Sequence, residues 1–179
     1  MHHLLKDNIE CIQQGVRLLR HVSTGDFTHR LEACFHSSIG GHLRHNIDHY
    51  LRFRDGLAAG RIDYDSRERD ERIETDAEYA TDKLQEVAGF LAGIPVDALE
   101  KPVQVKMDSG TRVGESESEA WVKSSVGREL QFLLSHSVHH YALIAVICNL
   151  LDVQLEDGFG YAPSTLKHRE KIETRECVL

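Results

Sequence analysis

Twelve of the 179 residues are histidine, and six of them fall into two tight groups. His42, His45 and His49 form one; His136, His139 and His140 form the other. His45 and His49 are spaced four apart, as are His136 and His140. On a helix that spacing sets two rings about 40° apart on one face. One metal ion can bridge such a pair, as in H-x-x-x-H zinc sites. A lone imidazole on an apolar face is more often a hydrogen-bonded core residue than a ligand. Two groups of three, on two helices that must pack together, point instead to a shared divalent cation.

The helices themselves are readable. Leu5, Ile9, Ile12, Val16 and Leu19 recur at spacings of four and three. They predict an amphipathic helix over 3–22, ended by Ser23-Thr24-Gly25-Asp26. Ser37 or Ser38 suits the N-cap of a second helix over 38–59. Its face is marked by Ile39, Leu43, Ile47, Tyr50, Arg54 and Leu57, and Gly60 is its C′ residue. Residues 61–75 are charge-dense with few apolar anchors and read as a loop. Ala77, Ala80, Leu84, Val87 and Leu91 predict a third helix over 76–93, stopped by Gly93 and Pro95. Val103 to Met107 alternates as a short strand entering a turn at Ser109-Gly110, with Thr111 to Glu117 as its hairpin partner. Ser124 or Ser125 caps a fourth helix running to Leu151, striped by Glu129, Leu133, His136, His140, Leu143, Ile147 and Leu150. The rest of the chain is a polar, glycine-rich tail.

Four such stripes need one shared core. The expected fold is all-α: an up-down four-helix bundle with a short β-hairpin before the last long helix. A single domain over 1–179 is expected, with a core bundle over 3–151 and a tail over 152–179.

In this arrangement His136 and His140 take two consecutive places in the fourth stripe, between Leu133 and Leu143. Burying them unpaired costs on the order of 1–3 kcal/mol each, and coordination removes that cost. The histidines of the second helix border its stripe, which points to a site at the seam between two helices. By face alone His42 or His49 lies nearer the stripe than His45. Asp48 has two roles open: accepting an imidazole N–H as an orienting partner, or pairing with Arg44 or Arg52. His2, His3, His21, His29, His36 and His168 read as solvated, or as caps and helix-end charges.

Composition narrows the function classes. The net charge of −8 repels phosphate backbones, so no nucleic-acid partner is expected. The start of the chain lacks the basic and apolar regions of a signal peptide. No apolar run approaches the ~20 residues of a membrane span; the nearest is Tyr141 to Leu151. A cytoplasmic location without membrane contact is the default. Cys11, Cys34, Cys148 and Cys177 contain no C-x-x-C pair and read as free thiols, Cys11 and Cys148 as core filler.

Two motifs carry a family resemblance. Ser38-Ile39-Gly40-Gly41-His42-Leu43-Arg44-His45, followed by Ser135-His136-Ser137-Val138-His139-His140, resembles the DinB/YfiT-like superfamily. The resemblance spans roughly residues 3–151. It implies a four-helix bundle with a metal held by one histidine of the second helix and the H-x-x-x-H pair of the last long helix. Carried over, the pair is His136 and His140. The third ligand sits about seven residues after the Ser/Thr cap, at His45, with His49 as its main rival and His42 and His139 beside them. One departure stands out: the residue after that ligand is usually apolar, and here it is Asn46. Members with known activity are often linked to low-molecular-weight thiols, as S-transferases, a mycothiol-dependent isomerase and the metal-binding part of ergothioneine sulfoxide synthases. The Tyr64-Asp65-Ser66-Arg67 and Gly160 to Thr165 segments fall outside the shared motifs and are candidates for a subgroup-specific pocket.

The expected function is a divalent-metal-binding protein with an open three-histidine site. It is either a metal-dependent thiol S-transferase or hydrolase acting on a small molecule, or a non-catalytic metal-binding or stress-response protein. Nitrogen ligands suit zinc, nickel, iron or copper. Tyr141, Arg44 and Glu129 are candidate substrate contacts. A homodimer is compatible with such bundles, though no seam announces one.

Overall fold

The fold, seen in a computed structural model, is described for residues 1–107 and 121–176. The chain is mostly helical, with one small three-stranded sheet. Four long helices dominate: α1 (His3–Leu19), α3 (Ile39–Leu57), α5 (Ala77–Ala92) and α6 (Val126–Leu150). Between them lie the short α2 (Thr24–Thr28) and α4 (Arg72–Thr75), and α7 (Pro163–Glu176) follows. Each of α1 and α3 packs against both α5 and α6. Their inward residues, among them Leu5, Ile12, Val16, Leu43, Ile47, Leu84, Leu91, Leu130, Leu133 and Ile144, form one continuous core.

The helix starts follow local chemistry. Ser38 Oγ accepts the Gly41 N–H at 3.0 Å and Ser125 Oγ accepts the Arg128 N–H at 3.3 Å. Asp76 caps α5 through the Tyr79 N–H, and His2 caps α1 through its ring nitrogen. Each satisfies a donor that the first helical turn leaves orphaned.

Residues 61–75 depart from the expected loop. They contain β1 (Arg61–Asp63) as well as α4. β1 pairs in parallel with β2 (Pro102–Lys106), which pairs antiparallel with β3 (Trp121–Ser125). The expected hairpin partner, Thr111 to Glu117, and the Ser109-Gly110 turn lie outside the described residues; β2 pairs instead with the segment leading straight into α6. A three-residue strand with one buried residue, Ile62, leaves too short an alternation to be recognised from sequence.

Two glycines of α3 fix the path of this excursion. A Cβ at Gly56 would collide with the carbonyl of Arg61, and one at Gly40 with the carbonyl of Glu74. The backbone therefore leaves α3 against Gly56 and returns against Gly40, running back along the helix between them. That path lies over the histidines of α3.

The stripe of α6 also differs in register. Val126, Leu130, Leu133, Ser137, Tyr141, Ile144 and Cys148 are buried, whereas Leu143 is half-buried and Leu150 exposed. His136 and His140 flank that stripe instead of occupying it. Both rows keep the four-three rhythm, and the buried Ser137 hides the true one. Contrary to the expectation that no segment approaches a membrane span, α6 is long and apolar enough to cross one. It packs against α1 and α3 with His136, His140, Ser137 and Tyr141 along it. Cys11, Cys34 and Cys148 are buried free thiols, and burial pushes Cys11 and Cys148 up to about 12. Cys177 lies outside the described residues.

Candidate metal centre

The seam between α3 and α6 brings the two histidine groups together. His45, His136 and His140 each offer a ring nitrogen, and these three atoms lie within 4.8 Å of one another. The ring centroids are 5.0 Å apart for His45 and His136, and 4.6 Å apart for His45 and His140 and for His136 and His140. The face argument favoured His42 or His49. The geometry favours His45, because its half-buried place at the edge of α3 points across the seam.

The remaining histidines surround the triad. His49 lies 4.4 Å from His136 between centroids and donates its Nδ1–H to the His45 carbonyl at 2.8 Å. A carbonyl can only accept, so the proton of neutral His49 is on Nδ1. His42 Nδ1 and His140 Nδ1 are 3.0 Å apart, and one of them must donate to the other. When His140 donates, its Nε2 keeps a free lone pair and His42 fixes the ring's orientation, as a partner behind a ligating imidazole does. His139 is exposed and packs edge-on with His140, ring centroids 5.1 Å apart.

Burial sets the protonation of the cluster. Desolvation, helped by neighbouring imidazoles and arginines, lowers His45 to about 3, His136 to about 4 and His140 to about 2. His42 and His49 are lowered for the same leading reason. At neutral pH these rings are uncharged, the form that binds metals. Among the described residues, His136 Nε2 and His42 Nε2 find no hydrogen-bond partner, and both are buried. A buried ring nitrogen without a partner is costly in a protein interior. The donor set, three neutral imidazoles with an orphaned nitrogen among them, fits a borderline divalent cation.

The surroundings are well defined. Tyr64 stacks near His49 with centroids 5.5 Å apart and donates its hydroxyl to Glu129 at 3.0 Å. Ser124 donates to the other Glu129 oxygen. Phe132 stacks near His136 at 5.5 Å. Of the two roles open to Asp48, the observed one is pairing: it accepts from Arg44 at 3.1 Å, and Arg44 also holds Glu74 at 2.8 Å. Arg44 and Glu129 are thus engaged within the protein. Tyr141 is fully buried, its hydroxyl against Gly15 of α1. Each of these three expected substrate contacts has an internal partner.

Arg67 does reach it. Its guanidinium donates to His45 Nδ1 at 3.0 Å. From sequence, the Tyr64 to Arg67 segment is expected only to shape a pocket, with no role for this side chain. The only signal was position, in a loop between two short elements that had themselves gone unrecognised. The tail behaves differently. Phe159 stacks on Tyr141 at 5.1 Å, and the cavity beside it is lined by Ala142, Asn149, Tyr161 and Arg169, with none of the six histidines.

Comparison with known proteins adds one relative. Over 110 residues the chain is 32% identical to FK506-binding protein 5 of Rhizopus delemar, covering 62% of this chain and 28% of that protein. The chain thus spans little more than a quarter of that relative's length. No family model matches the chain, and no solved structure matches it.

Proposed function

We propose that this chain is a DinB/YfiT-like metal protein, an up-down four-helix bundle that holds one divalent ion through His45, His136 and His140. We further propose that it acts as a metal-dependent thiol S-transferase or hydrolase. The observation that carries the reading is the convergence of three neutral imidazoles from α3 and α6 on one point. The mutual packing of the four long helices, and the two histidine motifs, support the bundle.

His45, His136 and His140 would hold the ion, and as neutral ligands they would leave it the 2+ charge with which such an ion lowers the pKa of a thiol or water. The protein's own groups do the rest. His42 orients the His140 ring through the contact between their Nδ1 atoms, and His49 is itself held by donating to the His45 carbonyl. Tyr64 and Phe132, with ring centroids 5.4 Å apart, form an aromatic wall beside His49 and His136. Zinc, nickel and iron all suit a nitrogen donor set.

A second reading rests on a specific observation. Both buried carboxylates near the cluster are engaged, Glu129 by Tyr64 and Ser124 and Asp48 by Arg44, so neither offers a ready general base. A metal-binding protein without turnover fits that arrangement. The two readings separate in one assay: metal-loaded protein mixed with low-molecular-weight thiols and a chloro-nitroaromatic. A transferase releases chloride as the thioether forms, and His136→Ala abolishes the release. No turnover with any metal or thiol supports the binding protein.

A further inference from the structure

We propose that Arg67 is the receptor for an oxyanion, a carboxylate or a phosphate, on the small molecule that binds at the histidine seam. This rests on the metal reading above and names the class of ligand for that site.

The placement of Arg67 is built, not incidental. Asp63 Oδ1 accepts the N–H groups of Asp65 and Ser66, which turns the chain sharply after β1. Arg52 donates to the Ser66 carbonyl at 3.1 Å and ties the turn to α3. Beyond Arg67, Asp70 accepts from the Arg72 N–H and from the Tyr79 hydroxyl. With Gly56 and Gly40 fixing both ends of the excursion, the side chain of Arg67 is delivered over His45.

Its bonding is incomplete. Arg17, Arg30, Arg44, Arg52, Arg54 and Arg72 hold carboxylates within 4.0 Å, whereas Arg20, Arg61, Arg69, Arg128 and Arg169, like Arg67, show no such pair among the described residues. Among the described residues no such ion pair uses Arg67, and its Nε is buried without a partner. Asp48 feels its charge, yet the hydrogen bond of Asp48 goes to Arg44. In a chain carrying 29 acidic residues against 21 Lys and Arg, a guanidinium left facing neutral imidazoles is in the wrong company.

Charge decides what is missing. A guanidinium is always protonated and presents a planar fork of donors suited to carboxylate and phosphate oxygens. A divalent ion on the same imidazoles places two positive centres side by side. An anion lying between them satisfies both: one oxygen faces the histidine seam and another the fork. An arginine with a purely structural role needs no such third party.

The test uses the full-length chain loaded with cobalt(II). Cobalt content, the visible cobalt bands and the thermal midpoint are followed while acetate or inorganic phosphate is added. Parallel samples carry Arg67→Ala and Arg67→Lys, with Lys6→Ala, at an exposed position, controlling for ionic strength. Wild type is expected to shift its bands and midpoint saturably with at least one anion. Arg67→Ala is expected to keep its cobalt and to bind that anion roughly ten- to a hundredfold more weakly. Arg67→Lys, which keeps the charge but not the fork, falls between. Preference for acetate identifies a carboxylate ligand, and preference for phosphate a phosphate ester. Equal anion binding by wild type and Arg67→Ala, or cobalt-loaded wild type indifferent to both anions, overturns the proposal and leaves the metal reading intact. Failure of wild type to take up cobalt overturns both.

Discussion

The Arg67 guanidinium and the His45 ring share a single hydrogen bond, at 3.0 Å to Nδ1. Arginine can only donate, so His45 accepts at Nδ1 and, when neutral, carries its proton on Nε2. A metal can bind neutral His45 only after Arg67 leaves Nδ1, because ligation at Nδ1 takes that lone pair and ligation at Nε2 moves the ring proton to Nδ1. Arg67 and the cation are therefore competitors until an anion joins them. In anion-free buffer, Arg67→Ala should bind zinc or cobalt about tenfold more tightly, about 1.4 kcal/mol, as the like charge is removed. Competition with a chelating dye measures this; weaker binding in the variant would contradict it.

The cluster should make the metal-free protein sensitive to acid. Histidines of the unfolded chain titrate near 6.5, whereas His136, His45 and His140 are held down to about 4, about 3 and about 2. Between those values and 6.5 the unfolded state binds more protons, so stability falls as pH falls through that window. Above 6.5 these groups contribute no slope. The urea midpoint of metal-free protein should drop from about pH 7.5 to about pH 5, and His140→Leu should flatten the decline. A midpoint that rises on acidification would show the rings to be charged in the native state.

Gly40 and Gly56 should tolerate no side chain. Alanine at either would press its Cβ into the carbonyl of Glu74 or Arg61. Each substitution should cost about 1–3 kcal/mol in denaturant unfolding. Each should also loosen the segment carrying Arg67. Gly89→Ala, where a Cβ meets open space, is the control and should be neutral or slightly stabilising.

Asn46 is buried, and no group among the described residues satisfies its carboxamide nitrogen or oxygen. Its place beside His45 is where the resembling family usually has an apolar residue. Asn46→Leu should therefore raise the thermal midpoint, by about 1 kcal/mol of stability. A lower midpoint would mean that the amide serves a bound molecule or water.

The extent to which this was visible in the sequence follows from pattern length. The helices α1, α3, α5 and α6 repeat their apolar residues over four or more turns, and their predicted ends fall within three residues of those observed. The pairing of His136 with His140 was legible because i, i+4 spacing survives any register, whereas the face argument pointed to His42 or His49 and not to His45, whose ring nitrogen groups with theirs. The stripe of α6 was misread because Ser137 and Tyr141 occupy core places, while Leu143 and Leu150 do not. β1 and α4 were missed because three- and four-residue elements have no period of their own. They exist through pairing with β2 and close approach to two glycines, and Arg67 was missed with them.

The central claim is that His45, His136 and His140 share one cation. Metal content after dialysis against zinc or cobalt tests it most directly. The expected result is one ion per chain in wild type and none in His45→Ala, His136→Ala or His140→Ala. His42→Ala and His49→Ala should keep the ion, with affinity reduced about 10–100-fold. A wild-type protein that retains no metal, or a His45→Ala variant that binds as wild type does, would contradict the account.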